Sequence, residues 1–372
     1  MVVSPALATP PQALFVSYAA VLGGAERILL DQAAALEGPV ALACPEGELA
    51  ARAREQGIHV LALRPRRAEL RGSVRHRLAA PLRLAAQSRE VRRAVAQLQP
   101  RCVIGWSMRG LLGAAGALAG KGERPPLIFQ HNDLLPSPGV ARAVRSAAAR
   151  AERVVCLSRA IADDLGSGLP VMVVHPGVDL ERFTPSPLPA GAPEALVLGA
   201  IVHWKRPGLA LEAAAIASIK LPELRIRLAG APLDVAGSEL ARTLARRAAE
   251  PDLAGRARLS EPIDASDALA RSTCLLHCAD AEPFGLAMAE ALASGRPVAA
   301  PRAGGALEIV DHSCGVLYEP GSAEAAAAAL VEVTRRAPEL AGPARERAER
   351  LFDRRVSQRR FRELVDEVTG PG

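Results

Sequence analysis

The stretch CLLHCADAEPFGLAMAEALASGRPVAAPRAGG (Cys274–Gly305) sets the reading of the whole chain. It opens with the short apolar run CLLHC, passes a turn containing Pro283 and Gly285, and continues from Leu286 as an Ala- and Leu-rich segment that suits a helix. After Gly295 a second apolar run, PVAAP, follows. Strand, turn, helix and strand in that order make a βαβ unit, which pairs its strands in parallel and lays its helix on the sheet.

The same alternation extends outward in both directions. ALFVSY, VALAC, HVLALR, CVIGW, LIFQH and RVVCLS read as buried strands, with helical segments such as Ala25–Leu36 and Leu82–Gln97 between them. The pattern halts at VVHPGVDLERFTPSPLPAGAPEA, a linker rich in Pro and Gly. It resumes with ALVLGAIV, LRIRLAG, ARLSEP, CLLHC, PVAAP and GVLYEP. The expected class is therefore α/β, with two Rossmann-like doubly wound parallel-sheet domains. At 372 residues the chain is long enough for two cores. In such sheets ligands bind beyond the carboxyl ends of the strands, so the expected site is a cleft between the halves. The tail ARERAERLFDRRVSQRRFRELVDEV reads as helical and basic, either a solvated amphipathic helix or one returning to the first half.

Two glutamates, Glu282 and Glu290, stand eight positions apart around the turn. The turn places Glu282 in the loop and Glu290 about one turn into the helix. Backbone amides at Phe284, Gly285, Leu286 and Ala287 begin that helix, and a helix N-terminus attracts phosphate without a charged side chain. Ionised carboxylates accept hydrogen bonds from sugar hydroxyls. Together these features suit a sugar-phosphate ligand. Two plainer readings stand beside it: Glu282 as a helix cap with Glu290 on the surface, or the pair as a glycosidase acid and base. A hydrolase needs no phosphate cradle, and this pair flanks one.

The segment Glu282–Glu290 resembles the E-x7-E signature of retaining glycosyltransferases of the GT-B fold, in particular glycosyltransferase family 4. The resemblance covers nearly the whole chain: GGAE (Gly23–Glu26) is similar to the family's first glycine turn, HPGVDLERFTP (His175–Pro185) to its interdomain linker, GAIVHWKRP (Gly199–Pro207) to its G-R-L-x-x-x-K element, and RERAERLFD onward to its closing helices. It implies two domains facing a central cleft: residues 1–180, with a C-terminal helix of about 352–372 packing back on it, for the acceptor, and residues 181–351 for the nucleotide sugar.

The activity implied is retaining transfer of a sugar from a nucleotide diphosphate sugar to an acceptor. By resemblance Glu282, with the amides of Phe284 and Gly285, holds the transferred sugar. Glu290 takes the ribose hydroxyls, and Lys205 neutralises the departing diphosphate. Gly23 and Gly24 let backbone approach a ligand. His131, directly after LIFQH, lies where the family has a histidine near the transferred sugar; the adjacent Asp133 reads as a cap or a ligand contact. One position departs from the family pattern: the arginine that accompanies the lysine is here Ala200, and Arg206 is the candidate replacement. That departure keeps open a non-catalytic homologue that binds a nucleotide sugar, beside an epimerase or a phosphorylase of the same fold.

No cofactor and no metal are expected. The chain contains no Asp-x-Asp, and CLLHC lacks a second Cys/His pair nearby in sequence. The six cysteines are scattered and read as reduced thiols. The start lacks a basic signal-peptide region, and GLLGAAGALAG is far short of the about 20 residues that span a bilayer, so a cytoplasmic protein is expected. Net charge is +6, and only three of the 46 basic residues are lysines, a bias consistent with a GC-rich bacterial genome. Between Arg64 and Arg109 twelve arginines face only Glu69 and Glu90. They are either helix surface or an attraction for an anionic acceptor or the inner membrane face. The acceptor is a glycan, a lipid-linked sugar or a secondary metabolite. No nucleic-acid motif accompanies the charge.

Overall fold

The computed structural model describes residues 7, 9–65, 74–120, 122–260 and 263–370, and for residues 74–81 the backbone alone. The chain divides into two compact units, Met1–His175 with Arg355–Gly372, and Pro176–Arg354.

The first unit carries seven strands: β1 (Ala13–Val16), β2 (Val40–Cys44), β3 (His59–Ala62), β4 (Cys102–Trp106), β5 (Leu127–His131), β6 (Arg153–Cys156) and β7 (Val171–Val173). Their order is β3-β2-β1-β4-β5-β6-β7, and every neighbouring pair is parallel. Strands β1, β2, β4 and β5 are buried along their whole length. That is why they read as continuous apolar runs: helices cover both faces of a parallel sheet. The sheet grows outward from β1 on one side and from β4 on the other, so the loops after these strands splay apart and leave a crevice. The glycine-rich GLLGAAGALAG lies largely within the helix Ser107–Ala117, which packs on β4, β5 and β1. Among the described residues no helix is long and apolar enough to cross a membrane.

The second unit carries six strands: β8 (Glu194–Leu198), β9 (Arg225–Ala229), β10 (Ala257–Ser260), β11 (Cys274–Leu276), β12 (Val298–Pro301) and β13 (Gly315–Tyr318). Their order is β10-β9-β8-β11-β12-β13, again wholly parallel. Its switch point lies between β8 and β11. Both units are thus Rossmann-like and doubly wound, as the alternation implied.

The tail differs in detail from a single helical segment. Asp353 leaves the helical region with ψ 124° and separates the helices Ala337–Phe352 and Arg354–Thr369. There the chain runs beside Val178, whose N–H donates to Phe352 O (2.7 Å) and whose carbonyl accepts from Arg354 N–H (3.1 Å). Gly177 permits this approach, since a Cβ there would lie 2.2 Å from Arg354 Cα. The helix Arg354–Thr369 buries Ser357, Phe361, Leu364 and Val365, a stripe at helical spacing. Phe361 meets Phe15 of β1 with ring centroids 6.2 Å apart, and Gln358 donates to Asp31 O at 2.9 Å.

Candidate functional site

In the second unit the loops after β8 and β11 bring Lys205 and Glu282 together. After β8 the chain turns through Gly199 and enters a short 3-10 turn, His203–Lys205. Arg206 then adopts a left-handed conformation (φ 48°, ψ 49°), and Pro207 starts the next helix. Lys205 Nζ lies 3.1 Å from Glu282 Oε2 and 3.3 Å from Oε1, with both side chains largely buried.

A third group completes this cluster. His277, at the end of the CLLHC run, places Nε2 3.3 Å from Glu282 Oε2, close but off the hydrogen-bonding direction. Its backbone carbonyl accepts from the Tyr318 hydroxyl at 2.6 Å, which ties the loop to β13. Burial by itself pushes the Glu282 carboxyl up. The adjacent His277 and the Lys205 ammonium outweigh it and hold the group down at about 2. Glu282 is therefore an ionised acceptor at neutral pH.

The loop from Glu282 into the helix Leu286–Ala293 is shaped by glycines. Gly285 has φ 104°, a left-handed geometry open to glycine at little strain. The first helical bond there runs from Met288 N–H to Gly285 O (2.9 Å), so the amides of Gly285, Leu286 and Ala287 precede it at the helix mouth. The Gly-Gly pair behind the motif packs against the loop. Gly305 N–H donates to Glu282 O at 2.8 Å, and a Cβ on Gly305 would stand 2.2 Å from Phe284 O. The Phe284 side chain is core, 2 % exposed, and meets Phe352 edge-on at 5.7 Å. Its part in the site can only be played by its backbone. Glu290 lies within the helix, partly exposed. Arg206 turns to Asp280, with which it forms an ion pair.

In the first unit the named residues gather at the carboxyl edge of the sheet. Gly23 caps the helix Gly24–Ala33, and its N–H donates to Glu26 Oε2 at 3.1 Å. Burial raises the Glu26 carboxyl, and the charge of Asp133 adds to the effect. His131 ends β5, wholly buried, stacked on Phe129 with centroids 5.0 Å apart. Among the described residues neither ring nitrogen has a hydrogen-bond partner, and burial lowers its pKa to about 4, so the imidazole is neutral. Beside it Gln130 donates to Asn132 Oδ1 (3.1 Å), and Asn132 Nδ2 to Ser107 Oγ (3.0 Å). Ser107 holds a positive φ of 62° at the end of β4.

Sequence reasoning missed His277 as a partner of Glu282, Asp280 as a partner of Arg206, and Trp204, whose ring lies under Lys205 Nζ at 4.5 Å from its centroid. The only signal available for His277 was CLLHC, which raised a metal question instead. Among the described residues no group of three or more His, Cys, Asp or Glu side chains is placed to hold a metal ion. All six cysteines are buried and free.

Of the twelve arginines between positions 64 and 109, Arg66, Arg67 and Arg71 lie outside the described residues, as do the side chains of Arg75 and Arg77. Three others serve the fold. Arg92 donates to Ala117 O (3.0 Å) and Gly116 O (3.1 Å), Arg101 to Gly370 O (2.8 Å), and Arg109 packs 4.7 Å from the Tyr18 ring centroid.

Comparison with known proteins extends these observations. A family model described as Glycosyltransferase Family 4 matches residues 22–182, and one described as Glycosyl transferases group 1 matches residues 180–350. A D-inositol 3-phosphate glycosyltransferase of Thermobispora bispora is 37% identical over 182 residues, covering 44% of this chain and 42% of that protein. One from Mycolicibacterium smegmatis is 35% identical over 162 residues, covering 40% and 36%. The matched stretches thus span less than half the length of these relatives. Among solved structures, Anabaena Alr3699/HepE in complex with UDP and glucose aligns with a TM-score of 0.79 at 22% identity, covering 96% of this chain and 99% of that one. Sucrose-phosphate synthase from Thermosynechococcus elongatus aligns with a TM-score of 0.79 at 18% identity, covering 96% and 98%. At such identities the likeness is one of fold.

Proposed function

The chain belongs to the glycosyltransferases, its halves matched in turn by the family 4 and group 1 models, and from that premise we propose that it transfers a sugar from a nucleoside diphosphate sugar to an acceptor with retention of configuration. The observation that carries this reading is the Lys205–Glu282 pair at the switch point of the second sheet, beside a helix mouth. A diphosphate arriving there meets a cation and free-standing backbone amides. Glu282, ionised and freed from Lys205, accepts hydroxyls of the transferred sugar. Lys205 then stabilises charge that grows on the diphosphate as the glycosidic bond breaks. Glu290 serves the ribose hydroxyls.

The first unit is assigned the acceptor, near Gly23, Gly24 and the buried, neutral His131. Relatives named for D-inositol 3-phosphate favour a small, phosphorylated or otherwise anionic acceptor. A cytoplasmic location with peripheral contact at an anionic membrane face is part of the proposal for lipid-linked acceptors. The nucleotide sugar is a substrate, and the reaction is assigned no cofactor. Arg206 pairs with Asp280, so Lys205 is assigned the diphosphate without a neighbouring arginine.

The test is incubation of the protein with a panel of UDP-, GDP-, ADP- and dTDP-sugars, following release of the nucleoside diphosphate. Slow hydrolysis of one donor, with the freed sugar retaining its anomeric configuration by NMR, supports the assignment. Failure to turn over or bind any donor overturns it.

A further inference from the structure

The chain has two tryptophans. Trp106 is buried in the core of the first unit, whereas Trp204 is 48% exposed at the centre of the turn His203–Lys205. A large ring left in solvent on a tight loop adds nothing to a core. Its one distinctive contact is with Lys205, whose ammonium sits 4.5 Å from the ring centroid while lying 3.1 Å from Glu282 Oε2. The lysine stem also lies over Gly199: a Cβ at that position would meet Lys205 Cδ at 3.6 Å and Nζ at 3.7 Å. A lysine in a loop is ordinarily a mobile point charge on a flexible stem. Here ring, carboxylate and backbone confine it.

We propose that Trp204 is a positioning residue for the donor site, whose ring face holds the Lys205 ammonium in place while that ammonium exchanges the Glu282 carboxylate for the diphosphate of the nucleotide sugar. The proposal rests on the function assigned above. The chemistry of the two contacts explains why both are present. A carboxylate takes the N–H donors of the ammonium and must release them when phosphate oxygens arrive. The face of an indole attracts the cation through its quadrupole. It leaves N–H donors for an oxygen ligand and persists through the exchange. Without the ring, Lys205 would have to find the diphosphate from a wider range of rotamers.

The experiment compares Trp204→Phe, Trp204→Leu and Trp204→Ala with the wild type, titrating each with UDP and with uridine and measuring donor turnover. Trp204 is half exposed, and a thermal melt confirms that each variant folds. Expected for the Leu and Ala variants is roughly threefold weaker UDP binding, the size of an exposed cation–π contact, with uridine affinity unchanged and kcat reduced more than KM is raised. The Phe variant, which keeps a ring face, stays near the wild type. A Leu variant as good as Phe overturns the inference, because bulk alone would then suffice. Parallel loss of uridine binding also overturns it, by making the ring a platform for the base. Wild-type protein that binds none of UDP, GDP, ADP and dTDP overturns the assigned function and this inference with it. Wild-type binding that Trp204→Leu leaves intact overturns this inference alone.

Discussion

Lys205 Nζ and Glu282 Oε2 lie 3.1 Å apart although 77 positions separate the residues in sequence. They meet because β8 and β11 are neighbours in the sheet and each residue stands in the loop after its strand. The pair holds a cation and an anion where, under the proposed function, a nucleotide sugar presents the opposite needs, phosphate for the one and hydroxyls for the other. Both charges are neutralised until the ligand arrives, which limits the cost of holding them in a largely buried setting.

Replacing Glu290 by Ala removes the charged acceptor assigned to the ribose. Hydrogen bonds to charged groups contribute about 1.5–3 kcal/mol, so UDP affinity falls roughly 10- to 150-fold. Calorimetry with UDP measures it; unchanged affinity in a folded variant refutes the ribose assignment.

His131 gives the protein a pH signature. Its folded-state pKa, about 4, lies below the ordinary 6.5 because of burial. The unfolded chain therefore binds the extra proton first as pH falls. The stability from keeping the ring neutral is fully present above 6.5 and is lost as pH drops from there to about 4. The loss over that window is on the order of 3 kcal/mol. Urea melts from pH 7 to pH 4 should show a decline in the wild type that His131→Leu flattens. Equal slopes in the two proteins would show that His131 titrates normally.

Gly305→Ala should disturb the donor loop without backbone strain of its own, since Gly305 has an ordinary helical φ of −62°. The added Cβ would stand 2.2 Å from Phe284 O and 2.5 Å from Phe284 Cα, so the loop must shift. A stability loss of about 1–3 kcal/mol is expected, together with weaker UDP binding. Wild-type affinity in the variant would mean that the loop position is irrelevant to the ligand.

The assigned countercharges, Lys205 and the helix mouth, imply turnover that needs no divalent cation. Donor hydrolysis should persist in EDTA at an undiminished rate. Activity lost in EDTA and restored by magnesium or manganese contradicts this.

Much of the architecture was legible because buried parallel strands must be apolar throughout, which leaves runs such as CVIGW and LIFQH plain to read. Strand β7 was not: only its last residue, Val173, fell within the linker stretch, and Val171 and Met172 were assigned to no element. It is three residues long, follows Pro170 and is not fully buried at any position, so its short apolar run VMVV merges with the start of the linker instead of standing out as a buried strand. Composition and periodicity do not mark the break at Asp353, because the pairing with Val178 that interrupts the helix involves a residue 175 positions away. Glu282, Glu290 and Lys205 were singled out through a motif. The contacts of His277 and Trp204 were not, because they depend on how two loops fold over a switch point rather than on spacing along the chain.

The central claim is that Lys205 and Glu282 serve the departure of a nucleoside diphosphate from its sugar. It is tested most directly by release of that diphosphate from the preferred donor, measured side by side for the wild type and Lys205→Ala. The account predicts steady release by the wild type and a rate lowered about 100-fold or more in the variant, with uridine affinity intact. Equal rates for the two proteins would contradict it.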